Sequence, residues 1–233
     1  ALVYRQGQGV RGAKAWNPVP AVLAALDDAY DLAFGNVAPT GKRMVVGIDI
    51  SGSMIASCVG TPIPCALAAA ALAVTLARLE PHALVLQFDL AVQRVVPVTK
   101  RTGISGLALS SGGGTDLAAP VTWALGQRAE FGARRSGFGW PAHALDTQLE
   151  ARLLETDGFV ILTDNETWAG GQHTAQAMEQ YRRRVNPGAK LVCCSLGATG
   201  TDVVDPQDPL SLGCAGLDAT LPALVADFIG RAA

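Results

Sequence analysis

Apolar and polar residues alternate in blocks along this chain, and several apolar blocks have the length of β-strands. Residues 44–48 and 159–162 are continuously apolar, which is typical of strands buried on both faces of a parallel sheet. Residues 190–196 predict another strand. The apolar segments 84–88 and 93–98 follow each other so closely that only a hairpin can join them, which predicts one antiparallel edge strand.

Helical patterns lie between and around these strands. They predict helices at 21–34, about 64–79, after Thr115, at 171–184 and at 221–231. The alternation predicts an α/β fold, with a doubly wound, mostly parallel sheet, one antiparallel edge strand and helices on both faces. We expect a single domain over residues 1–233, which begins with an irregular segment at 1–20.

Composition agrees with a compact domain. The chain is 49% hydrophobic and 16% charged, which argues against disorder, and its formal net charge of −2 argues against strong electrostatic capture of an RNA backbone. Its five cysteines include no C-x-x-C pair, so we expect buried thiols in a reducing cytoplasm and not disulfides. The apolar stretch 64–79 is shorter than the roughly 20 residues that span a bilayer, so no membrane contact is expected.

The first candidate for chemistry is Asp49-Ile50-Ser51-Gly52-Ser53, directly after the strand at 44–48. In open α/β sheets, ligands bind at the carboxyl ends of the strands. One carboxylate and two hydroxyl groups at alternate positions can converge once the backbone turns. All three supply hard oxygen, which suits Mg²⁺, Mn²⁺ or Ca²⁺ better than zinc.

Two later segments carry similar oxygen ligands. The loop 111–116 places Thr115 after three glycines, and Asp164 follows the apolar run 159–162. Each residue has an ordinary alternative, since Asp49 can cap the next segment and Thr115 can cap a helix. Three glycines are not needed for capping, but they let the backbone approach an ion closely. We therefore predict one metal site that is built from three loops.

This ordered set of motifs resembles the von Willebrand factor A (vWA) domain, a Rossmann-like fold with a metal-ion-dependent adhesion site. The resemblance implies that one divalent cation, Mg²⁺ in the first place and otherwise Mn²⁺ or Ca²⁺, is held by the D-x-S-x-S motif, a threonine and an aspartate. These correspond to Asp49, Ser51, Ser53, Thr115 and Asp164. At the rim of the site we expect Asp116, Asn165, Glu166 and Gly114.

Longer segments are similar to the Ro 60-kDa autoantigen family. They include residues 163–171 (Thr-Asp-Asn-Glu-Thr-Trp-Ala-Gly-Gly), 39–43, 9–12, 189–192 and 205–208. The resemblance implies the vWA domain of a bacterial-type, TROVE-type RNA-binding protein that carries Y RNAs and acts in RNA quality control. In that family a ring of helical repeats, absent from this sequence, accompanies the vWA domain and is expected to make most of the RNA contacts.

The segment 126–156 is longer than the Ro family's connection at this place, so we expect a surface insertion. Its arginines are interleaved with aromatic residues, a pattern that can contact nucleic acid by phosphate pairing and base stacking. The residues concerned are Arg134, Arg135, Phe138 and Trp140. The ordinary alternative is a solvated insertion whose aromatic side chains fix it to the domain.

Binding chemistry is therefore favoured over catalysis. A vWA-type cation keeps one position for an acidic side chain of a partner protein, here unknown, and we expect a cytoplasmic monomer. Direct RNA binding by this domain is the alternative. A phosphatase of the haloacid dehalogenase type would need a second aspartate where Ser51 stands, and the three histidines (82, 143 and 173) share no metal-ligand spacing.

Overall fold

The computed structural model describes residues 2–9, 13–33, 37–99, 102–108, 111–134, 155–164, 171–198 and 203–232. Its helices are α1 (Leu2–Gln6), α2 (Pro20–Ala33), α3 (Cys65–Leu79), α4 (Ala119–Arg134), α5 (Thr174–Arg184) and α6 (Leu221–Gly230). Its strands are β1 (Met44–Asp49), β2 (Ala83–Phe88), β3 (Val92–Val96), β4 (Gly158–Thr163), β5 (Lys190–Ser195) and β6 (Ser211–Ala215).

These strands form one sheet in the order β3-β2-β1-β4-β5-β6. All neighbouring pairs are parallel except β2 and β3, which form the antiparallel hairpin. The predicted fold class, a mostly parallel α/β sheet with one antiparallel edge strand, is confirmed.

Strands β1, β4 and β5 are buried along their whole length, which explains the apolar runs in their sequences. Because side chains alternate along a strand, each strand serves two cores. Val46 and Ile48 pack on the face covered by α3 and α6. Val45 packs on the opposite face, which α4 and α5 cover. The sheet is therefore enclosed by helices on both sides.

Helix α3 fits closely against the sheet because its buried face is rich in alanine. On its outer side lies α2, where the hydroxyl groups of Tyr30 and Thr75 are 2.5 Å apart. The N-terminal segment is not irregular throughout, since it contains α1 and a short bridge between Gln8 and Ala15.

The sequence pattern missed one strand and placed the start of one helix, α5, too early. Strand β6 was not predicted because it is a half-exposed edge strand with a glycine at its centre, so it lacks an apolar run. Helix α4 begins at Ala119, after a turn that follows Thr115. Helix α5 begins at Thr174 and not at 171, because the imidazole of His173 accepts a hydrogen bond from the backbone N–H of Ala175 and caps it.

The five cysteines all lie in the described part of the chain, where they are buried and form no disulfide. Cys193 and Cys194 face opposite cores, as the strand pattern predicted. Within the described ranges, the helices are too short or too polar to cross a membrane.

The order of the strands determines where a ligand site can form. From β1 the chain crosses through α3 to β2 on one side, whereas β4 lies on the other side of β1 and is reached through α4. The helices thus diverge at the carboxyl ends of β1 and β4. Open α/β sheets bind ligands at such a switch point.

Candidate metal site

Asp49 is the last residue of β1 and is completely buried. Its Oδ1 accepts a hydrogen bond from the backbone N–H of Ser51 at 2.8 Å, which turns the chain sharply after the strand. Beyond this turn, the side-chain oxygens of Ser51 and Ser53 are 3.3 Å apart. The D-x-S-x-S segment therefore gathers its two hydroxyl groups on one side of the Asp49 carboxylate.

The carboxylate of Asp49 is also held from the neighbouring strand. Its Oδ2 accepts a hydrogen bond from the hydroxyl of Thr163, the last residue of β4, at 2.8 Å. Burial raises the pKa of Asp49 to about 6, and the charge of nearby Asp164 adds to the rise. A buried carboxylate with a second one close by is costly as an ion, and a divalent cation between the two would relieve that cost.

The glycine-rich loop is attached to the turn after β1 by three hydrogen bonds. The backbone N–H of Ser111 donates to the carbonyl of Ile50 at 2.6 Å, and the Ser111 hydroxyl donates to the same carbonyl at 3.1 Å. The N–H of Gly52 donates to the carbonyl of Gly113 at 3.1 Å. Gly112 has a φ of 75°, a conformation that favours glycine. Glycine thus allows this loop to fold back against the metal turn.

Thr115 follows this loop and is 1% exposed. Its hydroxyl group has no hydrogen-bond partner among the described residues. Buried polar groups in folded proteins nearly always have a partner, so this oxygen needs a ligand that the protein itself does not supply. A cation bound by the neighbouring turn would provide it.

Asp164 follows β4 and is 7% exposed. The next parallel strand approaches it closely, because the N–H of Leu196 donates to the carbonyl of Thr163 at 2.7 Å. A Cβ atom at Gly197 would lie 3.0 Å from both the Cβ and the backbone oxygen of Asp164. A glycine at 197 is therefore required to leave room for this aspartate.

Together these groups fit a hard divalent cation. The donors are carboxylate and hydroxyl oxygens, which Mg²⁺, Mn²⁺ and Ca²⁺ prefer. In the part of the chain that the structure describes, no group of three or more His, Cys, Asp or Glu side chains could hold a metal ion, so a cation here would need the hydroxyl groups as well as the two carboxylates. Cys65 lies near both aspartates, but its hydrogen bond with Cys58, its burial and the nearby carboxylates all raise its pKa. A raised pKa favours the thiol form, which is a weaker metal ligand than the thiolate.

The residues predicted at the rim lie in different settings. Asp116 is half-buried, and its Oδ1 accepts a hydrogen bond from the N–H of Ala118 at 2.9 Å, so it shapes the turn before α4. Burial raises the pKa of Asp116. Gly114 is half-buried directly before Thr115. Asn165 and Glu166 lie outside the described residues.

Sequence reasoning missed Asp89, which is buried directly after β2. Its carboxylate accepts hydrogen bonds from the Gln93 amide at 2.7 Å and from the N–H of Ala91 at 3.3 Å. Its backbone oxygen accepts one from the N–H of Asp116 at 2.9 Å. Burial pushes the pKa of Asp89 up, but the hydrogen bonds outweigh burial and lower it. Asp89 therefore supports the Thr115 loop. The sequence feature that could have identified Asp89 is a polar residue directly after an apolar strand.

The arginine–aromatic segment cannot be placed relative to the site. Arg134 is the last residue of α4, and Arg135, Phe138 and Trp140 lie outside the described residues. Among the histidines, His173 is occupied as the cap of α5.

Comparisons with known proteins agree with the sequence resemblance. The family model of the Ro60 vWA domain matches residues 43–133 and 149–229. The chain is 38% identical to RNA-binding protein RO60 of Deinococcus radiodurans, over 97% of this chain and 39% of that protein. It is 29% identical to RNA-binding protein RO60 of Caenorhabditis elegans, over 97% of this chain and 32% of the relative.

The crystal structure of the Deinococcus radiodurans RO (RSR) protein superposes with a TM-score of 0.74 at 37% identity, and the match covers 98% of this chain and 42% of that one. The chain thus spans about two fifths or less of the length of these curated relatives. The match to the family model includes all six strands, β1 to β6, and all five predicted metal ligands. On sequence, fold and extent of match, this chain belongs to the Ro60 vWA domain family.

Proposed function

We propose that this domain is a divalent-cation-dependent protein-binding module of a Ro-type RNA-binding protein. The observation that carries the proposal is the buried Thr115 hydroxyl group, which has no partner among the described residues. It lies in a loop that is hydrogen-bonded to the turn carrying Ser51 and Ser53. The ligands we assign to the cation are Asp49, Ser51, Ser53, Thr115 and Asp164.

The charge of this ligand set favours binding of an external anion. Three of the five ligands are neutral hydroxyl groups, and only Asp49 and Asp164 are carboxylates. Such a set leaves a divalent cation electrophilic, so that an acidic side chain of a partner protein can complete its coordination. Mg²⁺ is the cation we favour, and Mn²⁺ or Ca²⁺ would suit the same oxygen donors.

The site supports binding better than catalysis. A phosphotransferase would need a nucleophile together with an acid or base positioned beside it. In the described residues around the cation site, the second carboxylate of a dehalogenase-type enzyme is replaced by Ser51. The imidazole of His173 is engaged at the start of α5.

RNA binding is a property that the relatives' names state for the full-length proteins. We propose that small noncoding RNAs of the Y type contact mainly regions outside this domain, and that the protein serves in RNA quality control. The net charge of −2 supports this division, since RNA affinity depends largely on basic residues that pair with phosphates. The unbridged cysteines support a reducing, cytoplasmic location.

Calorimetric titration with Mg²⁺, Mn²⁺ and Ca²⁺ tests the proposed cation site directly. Saturable binding is expected for the wild-type chain and should be lost in Asp49→Ala, which removes a charged ligand. Ser51→Ala removes a neutral ligand and should weaken binding less. Equal losses in the two variants would contradict the charge argument, and absence of binding by the wild type would refute the cation site.

The role of the insertion needs a separate test. If the arginine–aromatic segment contacts RNA, deletion of residues 132–143 should reduce RNA retention by the full-length protein. Unchanged retention would assign the segment to the protein surface alone.

A further inference from the structure

Large apolar side chains are exposed beside the candidate metal site on both of its flanks. Ile55, Val59 and Leu90, which we call the apolar rim, are 73%, 42% and 54% exposed. Exposed aliphatic residues scattered singly over a surface carry no information, but several around one ligand site mark an interaction surface.

Backbone contacts place the apolar rim at the carboxyl edge of the sheet. Ile55 ends the short 3₁₀ turn that contains Ser53. The N–H of Val59 donates to the carbonyl of Leu196, directly after β5. Leu90 follows Asp89 at the end of β2. Since β1 and β4 lie between β2 and β5, the metal ligands are flanked by apolar side chains on two sides.

The charge of the loops at this edge indicates which anion a bound cation would attract, a phosphate group of RNA or a carboxylate group of a protein. Neither lysine nor arginine occurs among the described residues of the loops at this edge, which are 50–64, 89–91, 111–118, 171–173 and 196–198. The sequence of residues 165–170 (Asn-Glu-Thr-Trp-Ala-Gly) also contains no lysine and no arginine. An RNA phosphate backbone would find no basic side chain here to pair with, whereas a protein segment needs only one carboxylate and apolar neighbours.

Resting on the proposed cation site, we propose that its partner is a protein segment in which an aspartate or glutamate is flanked by aliphatic or aromatic side chains. The carboxylate completes the coordination of the cation, and the flanking side chains cover the apolar rim. Without the cation, Asp49, Asp89 and Asp164 repel the partner's carboxylate, so apolar contact alone does not retain it. Recognition therefore requires both the cation and the apolar neighbours.

The experiment is a selection of random 12-residue displayed peptides on the immobilised chain in Mg²⁺, with elution by EDTA. A selected peptide is then synthesised with a fluorophore, and its affinity is measured by fluorescence polarisation. We expect enriched peptides to contain Asp or Glu next to Leu, Ile or Phe. Ile55→Ser and Leu90→Ser should each weaken peptide binding at least fivefold while calorimetry shows unchanged Mg²⁺ affinity.

Leu224→Ser is the matched control, because Leu224 is an exposed leucine like Leu90 but lies on α6. It should bind the peptide like the wild type. The inference is overturned if apolar neighbours are not enriched, if no cation-dependent peptide emerges, or if the two rim variants bind like the control. Stronger Mg²⁺-dependent binding of a labelled 15-nucleotide single-stranded RNA would overturn it in favour of a phosphate ligand. Failure of the cation site itself is recognised separately, since the wild type would then bind no Mg²⁺ in the calorimeter.

Discussion

Thr115 and Thr156 each bury a hydroxyl group that has no hydrogen-bond partner among the described residues. Thr156 precedes β4, at the amino end of the sheet, where its N–H donates to the Tyr181 hydroxyl. Thr115 lies at the carboxyl end, beside the candidate ligands. Both residues thus bury a hydroxyl group without a hydrogen-bond partner among the described residues, but only Thr115 lies near the candidate metal site.

Replacing either threonine by valine removes the unpaired hydroxyl group at almost constant volume. An unsatisfied buried polar group costs about 1–3 kcal/mol, so in EDTA both variants should have a free energy of unfolding at least equal to that of the wild type. Thr115→Val should in addition weaken Mg²⁺ binding more than tenfold, whereas Thr156→Val should not. Urea unfolding and calorimetry measure the two effects, and equal Mg²⁺ affinity in both variants would exclude Thr115 as a ligand.

Asp49 makes the stability of the cation-free domain depend on pH. Its pKa is about 6 in the folded protein and 3.8 without the fold. The folded state binds the Asp49 proton more tightly than the unfolded state does. Protonation of Asp49 therefore stabilises the fold as the pH falls through 6, and this stabilisation is lost as the pH rises again. Between pH 7.5 and 5 the gain is about 1 kcal/mol.

The measurement compares the wild type with Asp49→Asn in EDTA at several pH values. The difference in unfolding free energy, wild type minus variant, should increase by that amount on acidification. Using the difference removes the contribution of titrating groups that do not interact with Asp49. A difference that is constant from pH 7.5 to 5 would show that the pKa of Asp49 is not raised.

At the level of elements, continuous apolar runs were a reliable guide to buried strands. Both β1 and β4 were correctly predicted because every one of their positions is buried. Edge strand β6 and helix α1 were missed, since neither has enough buried apolar residues to create a periodic signal. A polar residue directly after an apolar strand marked the position of Asp89, but its support of the Thr115 loop depends on the hydrogen bond from the distant Asp116, which no local pattern contains.

Gly47, in the middle of β1, determines how closely α4 approaches the sheet. A Cβ atom at this position would lie 2.9 Å from the Pro120 ring and 3.1 Å from the Phe88 ring. Pro120 is in the first turn of α4, so any displacement there reaches the preceding Thr115 loop. Close packing at this glycine thus connects the core to the candidate site.

Gly47→Ala should destabilise the domain by about 1–3 kcal/mol, because an added methyl group overpacks the core, and it should also weaken Mg²⁺ binding. Gly126→Ala is the control. This glycine lies within α4 with nothing within 4 Å of an added Cβ, so alanine should stabilise by roughly 0.5–1 kcal/mol without changing Mg²⁺ affinity. Thermal unfolding distinguishes the two, and a neutral Gly47→Ala would show that α4 can move outward freely.

At the level of the whole molecule, the carboxyl edge of the sheet differs from the rest of the surface, where acidic and basic side chains form ion pairs. Asp49, Asp89 and Asp164 gather at one edge of the sheet, where the described loops carry no lysine or arginine. Such an edge has no affinity for anions until a cation binds. In the proposed function, cation binding would therefore couple the stability of the domain to its ability to bind a partner.

That coupling predicts a stability change in the whole chain. A ligand that binds only the folded state, at a concentration 100 times its Kd, adds about 2.7 kcal/mol to the unfolding free energy. For a domain of this size the Tm should rise by roughly 5–10 °C in saturating Mg²⁺. Asp49→Ala should show no rise, whereas Leu224→Ser, altered on α6 and outside the predicted ligand set, should show the full one. An equal rise in Asp49→Ala and the wild type would mean that Mg²⁺ stabilises the fold from another place, because the carboxyl edge would then contribute nothing to its binding.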